Sequence, residues 1–85
     1  MIIKTETGSE YYLRSGILTK KGDNLMAYKT YNVIPFEHGT TKSIEDILKL
    51  PQGKPEIGKR VYFSGLGEWN VTTNVVEIIE EDEDD

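Results

Sequence analysis

Hydrophobic and polar residues alternate through most of this 85-residue chain, and they do so in short runs. Ile2 to Glu6 and Glu10 to Arg14 flank Thr7-Gly8-Ser9, a spacing that predicts a β-hairpin. Ile17 to Lys20 continues in extended form after Ser15-Gly16. Lys21-Gly22-Asp23-Asn24 reads as a second turn, because its residues tolerate positive φ. Leu25 to Pro35 is the longest strand candidate. Met26, Tyr28, Thr30, Asn32 and Ile34 share one face; Leu25, Ala27, Lys29, Tyr31 and Val33 share the other. Neither face is cleanly polar, so the strand is expected to be covered on both sides or to bend partway. Pro35 ends it or marks a sheet edge, since proline donates no ladder hydrogen bond.

The period then changes. Glu37 to Lys42 is a polar loop. Ser43-Ile44-Glu45-Asp46 resembles a capping box with Asp in place of Glu. Ile44, Ile47, Leu48 and Leu50 fall on one helical face, and Pro51 stops the segment. A helix this short is not stable alone in water, so its Ile/Leu stripe must dock on the sheet. Gln52 to Gly58 is a loop punctuated by Gly53, Pro55 and Gly58. Lys59 to Ser64 predicts a strand, Gly65-Leu66-Gly67 a tight turn, and Glu68 to Ile79 a long strand. Trp69, Val71 and Thr73 share a face of this last strand, whereas Val76 and Ile78 are the next alternating apolar pair. The odd step predicts a bulge or sheet corner near Asn74. The order β-β-β-β-α-β-β predicts a mostly β fold with a minor α component: a small, bent antiparallel sheet or partly open barrel with one short helix.

Charge changes this picture. The formal charge is −5, from 15 acids and 10 bases. Six of those acids form the uninterrupted run Glu80, Glu81, Asp82, Glu83, Asp84 and Asp85. Without them nine acids face ten bases, so residues 1–79 carry a formal +1. The chain thus divides into a single β-rich domain over 1–79 and a tail over 80–85, which self-repulsion is expected to leave disordered. Such a tail either solubilises or acts as an anionic arm toward a basic surface. An acidic globe is the wrong description.

Size and residue usage narrow the chemistry. At this length a domain buries roughly 60–65% of the surface its unfolded chain exposes, a thin core. The chain has no cysteine, which excludes disulfides and thiol chemistry. The single histidine, His38, has only Glu37 beside it in sequence, too few groups for a metal site. No nucleophile motif or phosphate-binding glycine pattern is present. Catalysis, metals and cofactors are therefore not expected. There is no apolar stretch of signal-peptide or transmembrane length, so the expectation is a cytoplasmic protein with no membrane partner.

Aromatic residues supply the candidate sites. Neighbours on a strand point to opposite faces, so one of Tyr11 and Tyr12 is expected to face outward, and one of Tyr62 and Phe63. Tyr11, Tyr12, Tyr31, Tyr62 and Trp69 are thus candidate interaction residues, together with the acids from Glu80 to Asp85. A protein partner is the first expectation, because Tyr and Trp supply much of the energy of interfaces. A barrel that binds single-stranded nucleic acid is the alternative: Lys29, Lys59 and Arg60 could bind phosphates beside stacked bases. The tail opposes it, and Lys20-Lys21 and Lys59-Arg60 are isolated pairs rather than a basic stripe. A third reading is a subunit of a larger assembly. Composition leaves the oligomeric state open.

Ile2-Ile3-Lys4-Thr5-Glu6-Thr7-Gly8-Ser9-Glu10-Tyr11-Tyr12-Leu13 at the start and Thr72-Thr73-Asn74-Val75-Val76-Glu77-Ile78 near the end resemble the two ends of small, uncharacterised proteins carried by phages and prophages. The resemblance implies an accessory product or inhibitor from a mobile element, acting on a host protein. It carries no catalytic or binding residues with it, and residues 25–58 lie outside it.

Overall fold

A computed structural model describes residues 1–21, 26–39 and 43–80; the side chains of Met26 and Tyr28 are not part of that description. Among the described residues eight strands and one helix occur: β1 (Ile2–Thr5), β2 (Glu10–Arg14), β3 (Ile17–Lys20), β4 (Met26–Lys29), β5 (Asn32–Phe36), α1 (Ile44–Leu48), β6 (Arg60–Gly65), β7 (Glu68–Val71) and β8 (Val75–Ile79). They form two antiparallel sheets. The larger has the order β4-β3-β2-β1-β8 and the smaller the order β5-β6-β7. The mostly β expectation with one short helix holds. The sheets do not close into a barrel.

The first hairpin turns where expected. Gly8 takes φ +89°, a conformation that costs glycine little, and Thr5 N–H donates to the Ser9 carbonyl at 3.0 Å. Two long strands of the sequence reading each divide. Leu25, the turn residues Gly22, Asp23 and Asn24, and Thr40 to Lys42 lie outside the described residues. From Met26 the chain runs only to Lys29 before it changes sheet. Thr30 N–H donates to Gly16 in the larger sheet at 2.7 Å, while the next amide, Tyr31, donates to Ser64 in the smaller at 2.8 Å. Consecutive amides thus serve different sheets, which explains why neither face of this stretch was cleanly polar. Pro35 sits inside β5 rather than ending it. It is tolerated because β5 is an edge strand.

The second division falls at Thr72-Thr73-Asn74, where the phase slip predicted a corner. Thr72 N–H still donates to Val61 in the smaller sheet at 2.9 Å; the Asn74 carbonyl already accepts from Glu6 in the larger, also at 2.9 Å. A bulge opposite Lys4 and Thr5 completes the slip. It turns Val75 inward, 1% exposed, and leaves Val76 53% exposed, which reverses the expected inward position of Val76.

Thr72 stabilises this corner. Its hydroxyl accepts from Val61 N–H at 2.9 Å and donates to the Thr73 carbonyl at 2.7 Å, so the side chain supplies a ladder acceptor where the strand leaves the sheet. Arg60 Nε donates to the Thr72 carbonyl at 2.9 Å.

The core has two parts. Ile3, Tyr11, Leu18, Val61, Phe63 and Val75 pack between the sheets. Ile34, Phe36, Ile47 and Tyr62 pack between the smaller sheet and α1. Ser43 caps α1 as expected, its Oγ accepting from Asp46 N–H at 3.2 Å. The helix has five residues and buries Ile47, with Ile44 and Leu50 at its margins, against β5 and β6. Leu48, expected on the buried stripe, is 51% exposed, because so short a helix covers the sheet with little more than one turn.

Candidate functional site

Cross-strand register decides which face each aromatic occupies. Ile3, Tyr11 and Lys20 form one row of the larger sheet and face the core. Tyr11 is therefore buried, at 3% exposure; it stacks on Phe63 with ring centroids 6.2 Å apart, and Lys20 Nζ lies 5.7 Å from its ring. As an interaction candidate it is overturned. Tyr12 is its outward neighbour, half-buried, and donates to Glu10 Oε1 at 3.3 Å.

Tyr62 is overturned as well, at 5% exposure. The expectation that one of Tyr62 and Phe63 faces solvent fails because β6 is the middle strand of the smaller sheet. Phe63 meets the larger sheet on one side, and Tyr62 meets Ile47 of α1 on the other.

Two of the remaining candidates are open. Tyr31 is 57% exposed at the crossing between the sheets, with Lys29 Nζ 5.7 Å from its ring. Trp69 and Val71 share a face, as the alternation along the last strand predicts. Val71 is half-buried against the helix cluster, but Trp69 lies one row further on, past the cover of α1, and is 56% exposed. Of the acidic run, Glu80 is exposed; Glu81, Asp82, Glu83, Asp84 and Asp85 lie outside the described residues.

Around Trp69 the structure adds groups that the sequence pattern did not mark. Asn32, Ser64 and Trp69 occupy one row across β5, β6 and β7. Asn32 Nδ2 donates to Ser64 Oγ at 3.0 Å, and Gln52 Nε2 donates to Asn32 Oδ1 at 2.7 Å. The hairpin register would have placed Ser64 opposite Trp69; nothing in the sequence pairs Gln52 with Asn32. Leu66, at the tip of the β6–β7 hairpin, is 90% exposed. β7 pairs with β6 alone, so its outer backbone edge is unpaired among the described residues. The β5 edge differs, because Gly53 N–H donates to the Val33 carbonyl at 2.8 Å.

The outer face of the larger sheet has a different character. Ile79, Ile2, Tyr12, Thr19 and Ala27 form one row across all five strands. Beside it runs a row of alternating charge, Glu77, Lys4, Glu10 and Lys21. Lys4 Nζ lies 3.8 Å from Glu77 and Lys21 Nζ lies 3.9 Å from Glu10.

His38 is exposed, and Arg60 Nη1 donates to its Nδ1 at 3.3 Å. No group of three or more metal-ligating side chains occurs among the described residues, and none of their helices is long and apolar enough to cross a membrane. No protein-family model matches the chain, and neither curated proteins nor solved structures give a significant match.

Proposed function

We propose that this chain is a non-enzymatic protein-interaction module whose β7 edge receives an extended segment of a partner protein, with Trp69 as the anchor. One observation carries the reading: the chain's single tryptophan stands 56% exposed on an edge strand whose outer backbone groups have no partner strand among the described residues. An added strand would gain main-chain hydrogen bonds from that edge, while the indole covers its side chains. Asn32 and Ser64 continue the row of Trp69 across the sheet, with Gln52 bonded to Asn32, so polar groups lie on one side of the indole, and tryptophan is among the residues enriched at interface hot spots.

The likeness of the two chain ends to phage- and prophage-borne proteins supports a host protein as that partner. The acidic run from Glu80 to Asp85 acts at longer range, drawing in a partner with a basic surface and raising the association rate at low salt. Single-stranded nucleic acid has less support, because Lys4, Lys21 and Lys59 each lie within 4 Å of a carboxylate instead of forming a phosphate-binding track.

The test compares proteins captured from a cell lysate by the wild-type chain, by Trp69→Ala and by a chain ending at Ile79. A partner that engages Trp69 should bind the alanine variant about 30-fold more weakly, corresponding to ~2 kcal/mol. Its binding to the wild type should also shift the tryptophan emission to the blue. Equal capture by wild type and Trp69→Ala would remove Trp69 from the function. Oligonucleotide binding that strengthens when the tail is removed would replace the protein partner with a nucleic acid.

A further inference from the structure

The outer face of the five-stranded sheet lies apart from Trp69, and its charges have an order that the β7 edge does not explain. Read across the strands from β8 to β3, the charged row runs Glu77, Lys4, Glu10, Lys21: minus, plus, minus, plus. Read in reverse, it runs plus, minus, plus, minus. A twofold axis parallel to the strands, midway between β1 and β2, lays the row on its own reverse. Glu77 of one copy then meets Lys21 of the other, and Lys4 meets Glu10. All four encounters join opposite charges. The same axis sets Ile2 over Tyr12 and Ile79 over Thr19, so the apolar row covers itself except at Ala27, whose strand β4 has no facing strand.

We infer that this face binds a second copy of the chain, forming a symmetric, sheet-on-sheet dimer. In such an interface both subunits use the same patch, which must be self-complementary. Facing sheets pack about 10 Å apart, a gap that lysine and glutamate side chains bridge from both sides. The salt bridges within each chain, at 3.8 and 3.9 Å, hold the four charges in register before the copies meet. Each pair would become part of a network extending across the interface. The four strands that face one another, each about five residues long, span about 19 by 17 Å, roughly 320 Å² of flat footprint per copy, and β4 lies outside the overlap. Twice that area is below the range of stable interfaces, so the dimer is a weak one whose association depends on concentration and falls as salt screens the row.

Sedimentation velocity over a range of protein and salt concentrations tests the inference with the wild type alone. A dimer that dissociates on dilution and with added salt is expected. A monomer throughout would overturn it. Charge reversal then addresses the register. Lys4→Glu and Glu10→Lys each place like charges opposite one another in two of the four encounters, and each should weaken self-association at least about tenfold. Mixed together, the two variants again place opposite charges at all four encounters, so they should form a heterodimer. Both substitutions are on the outer face, and a far-UV spectrum matching the wild type confirms folding. Folded variants that fail to associate when mixed would overturn the inference. Because Trp69 lies on the other sheet, its substitution should leave the dimer intact; this separates failure of the dimer from failure of the β7 reading.

Discussion

Replacing Thr72 with valine removes one hydroxyl and almost no volume, and so isolates the hydrogen bonds at the sheet corner. Thr72 is 1% exposed, and its Oγ1 is the acceptor for Val61 N–H at 2.9 Å. Val61 is itself 0% exposed, so water cannot replace that acceptor. A buried amide left without a partner costs about 1–3 kcal/mol. An 85-residue domain has roughly 4–13 kcal/mol of net stability, so the loss is a substantial fraction of the whole. At ~2 kcal/mol the melting temperature should fall by about 8–16 °C. Thr72→Ser is the control. It keeps the acceptor and removes one buried methyl, costing about 1 kcal/mol. Urea unfolding followed by circular dichroism ranks the three proteins, and amide exchange at Val61 reports the bond directly. The expected order is wild type, then serine, then valine. If valine proves more stable than serine, Thr72 acts by packing its methyl group, and the account of the corner is wrong.

Other substitutions probe the core, the turns and the cap. Phe63→Ala should cost about 3–5 kcal/mol and leave the domain close to unfolding at 37 °C, measured by thermal melting, because Phe63 is 0% exposed where the two sheets meet. Among the described residues Ser15 is the one non-glycine residue at positive φ, +51°, in a two-residue turn with Gly16 at +75°. Ser15→Asn should therefore raise stability by a few tenths of a kcal/mol in urea unfolding, since asparagine accepts that conformation more readily. Ser43→Ala removes the cap on α1 and should cost about 0.5–1 kcal/mol by the same assay, with faster exchange at Asp46 N–H.

Alternation along the chain revealed the strands but not how many layers cover each. It located the β1–β2 hairpin through Thr7-Gly8-Ser9 and the corner near Asn74 through a change of parity. Both are local signals. It also established that Tyr11 and Tyr12 oppose each other, although only the register with Ile3 and Lys20 showed which is buried. For Tyr62 and Phe63 the rule of one face in and one face out failed, because α1 and the larger sheet enclose β6 from both sides. Trp69 shows the converse. Its place beside Val71 was legible, but its exposure depends on where a five-residue helix ends. The division at Thr30 and Tyr31 left only a mixed pattern in the sequence, because each flanking strand follows the face of a different sheet. The polar groups beside Trp69 come from Asn32, Gln52 and Ser64, positions that approach only when β5 pairs with β6.

β1 lies between β2 and β8, so Ile2 has Tyr12 on one side and Ile79 on the other. During synthesis the first four strands can form a meander, but one flank of β1 stays bare until residues 75–79 have been made. Everything between β4 and β8, including the whole smaller sheet, must be translated first. Contacts of such long sequence separation slow folding, and an open strand flank in the meantime is a template for pairing with other nascent chains. Among the described strands, the one made last, β8, is therefore the one that seals β1. A stalled or prematurely terminated chain would retain an adhesive flank that the finished protein has covered.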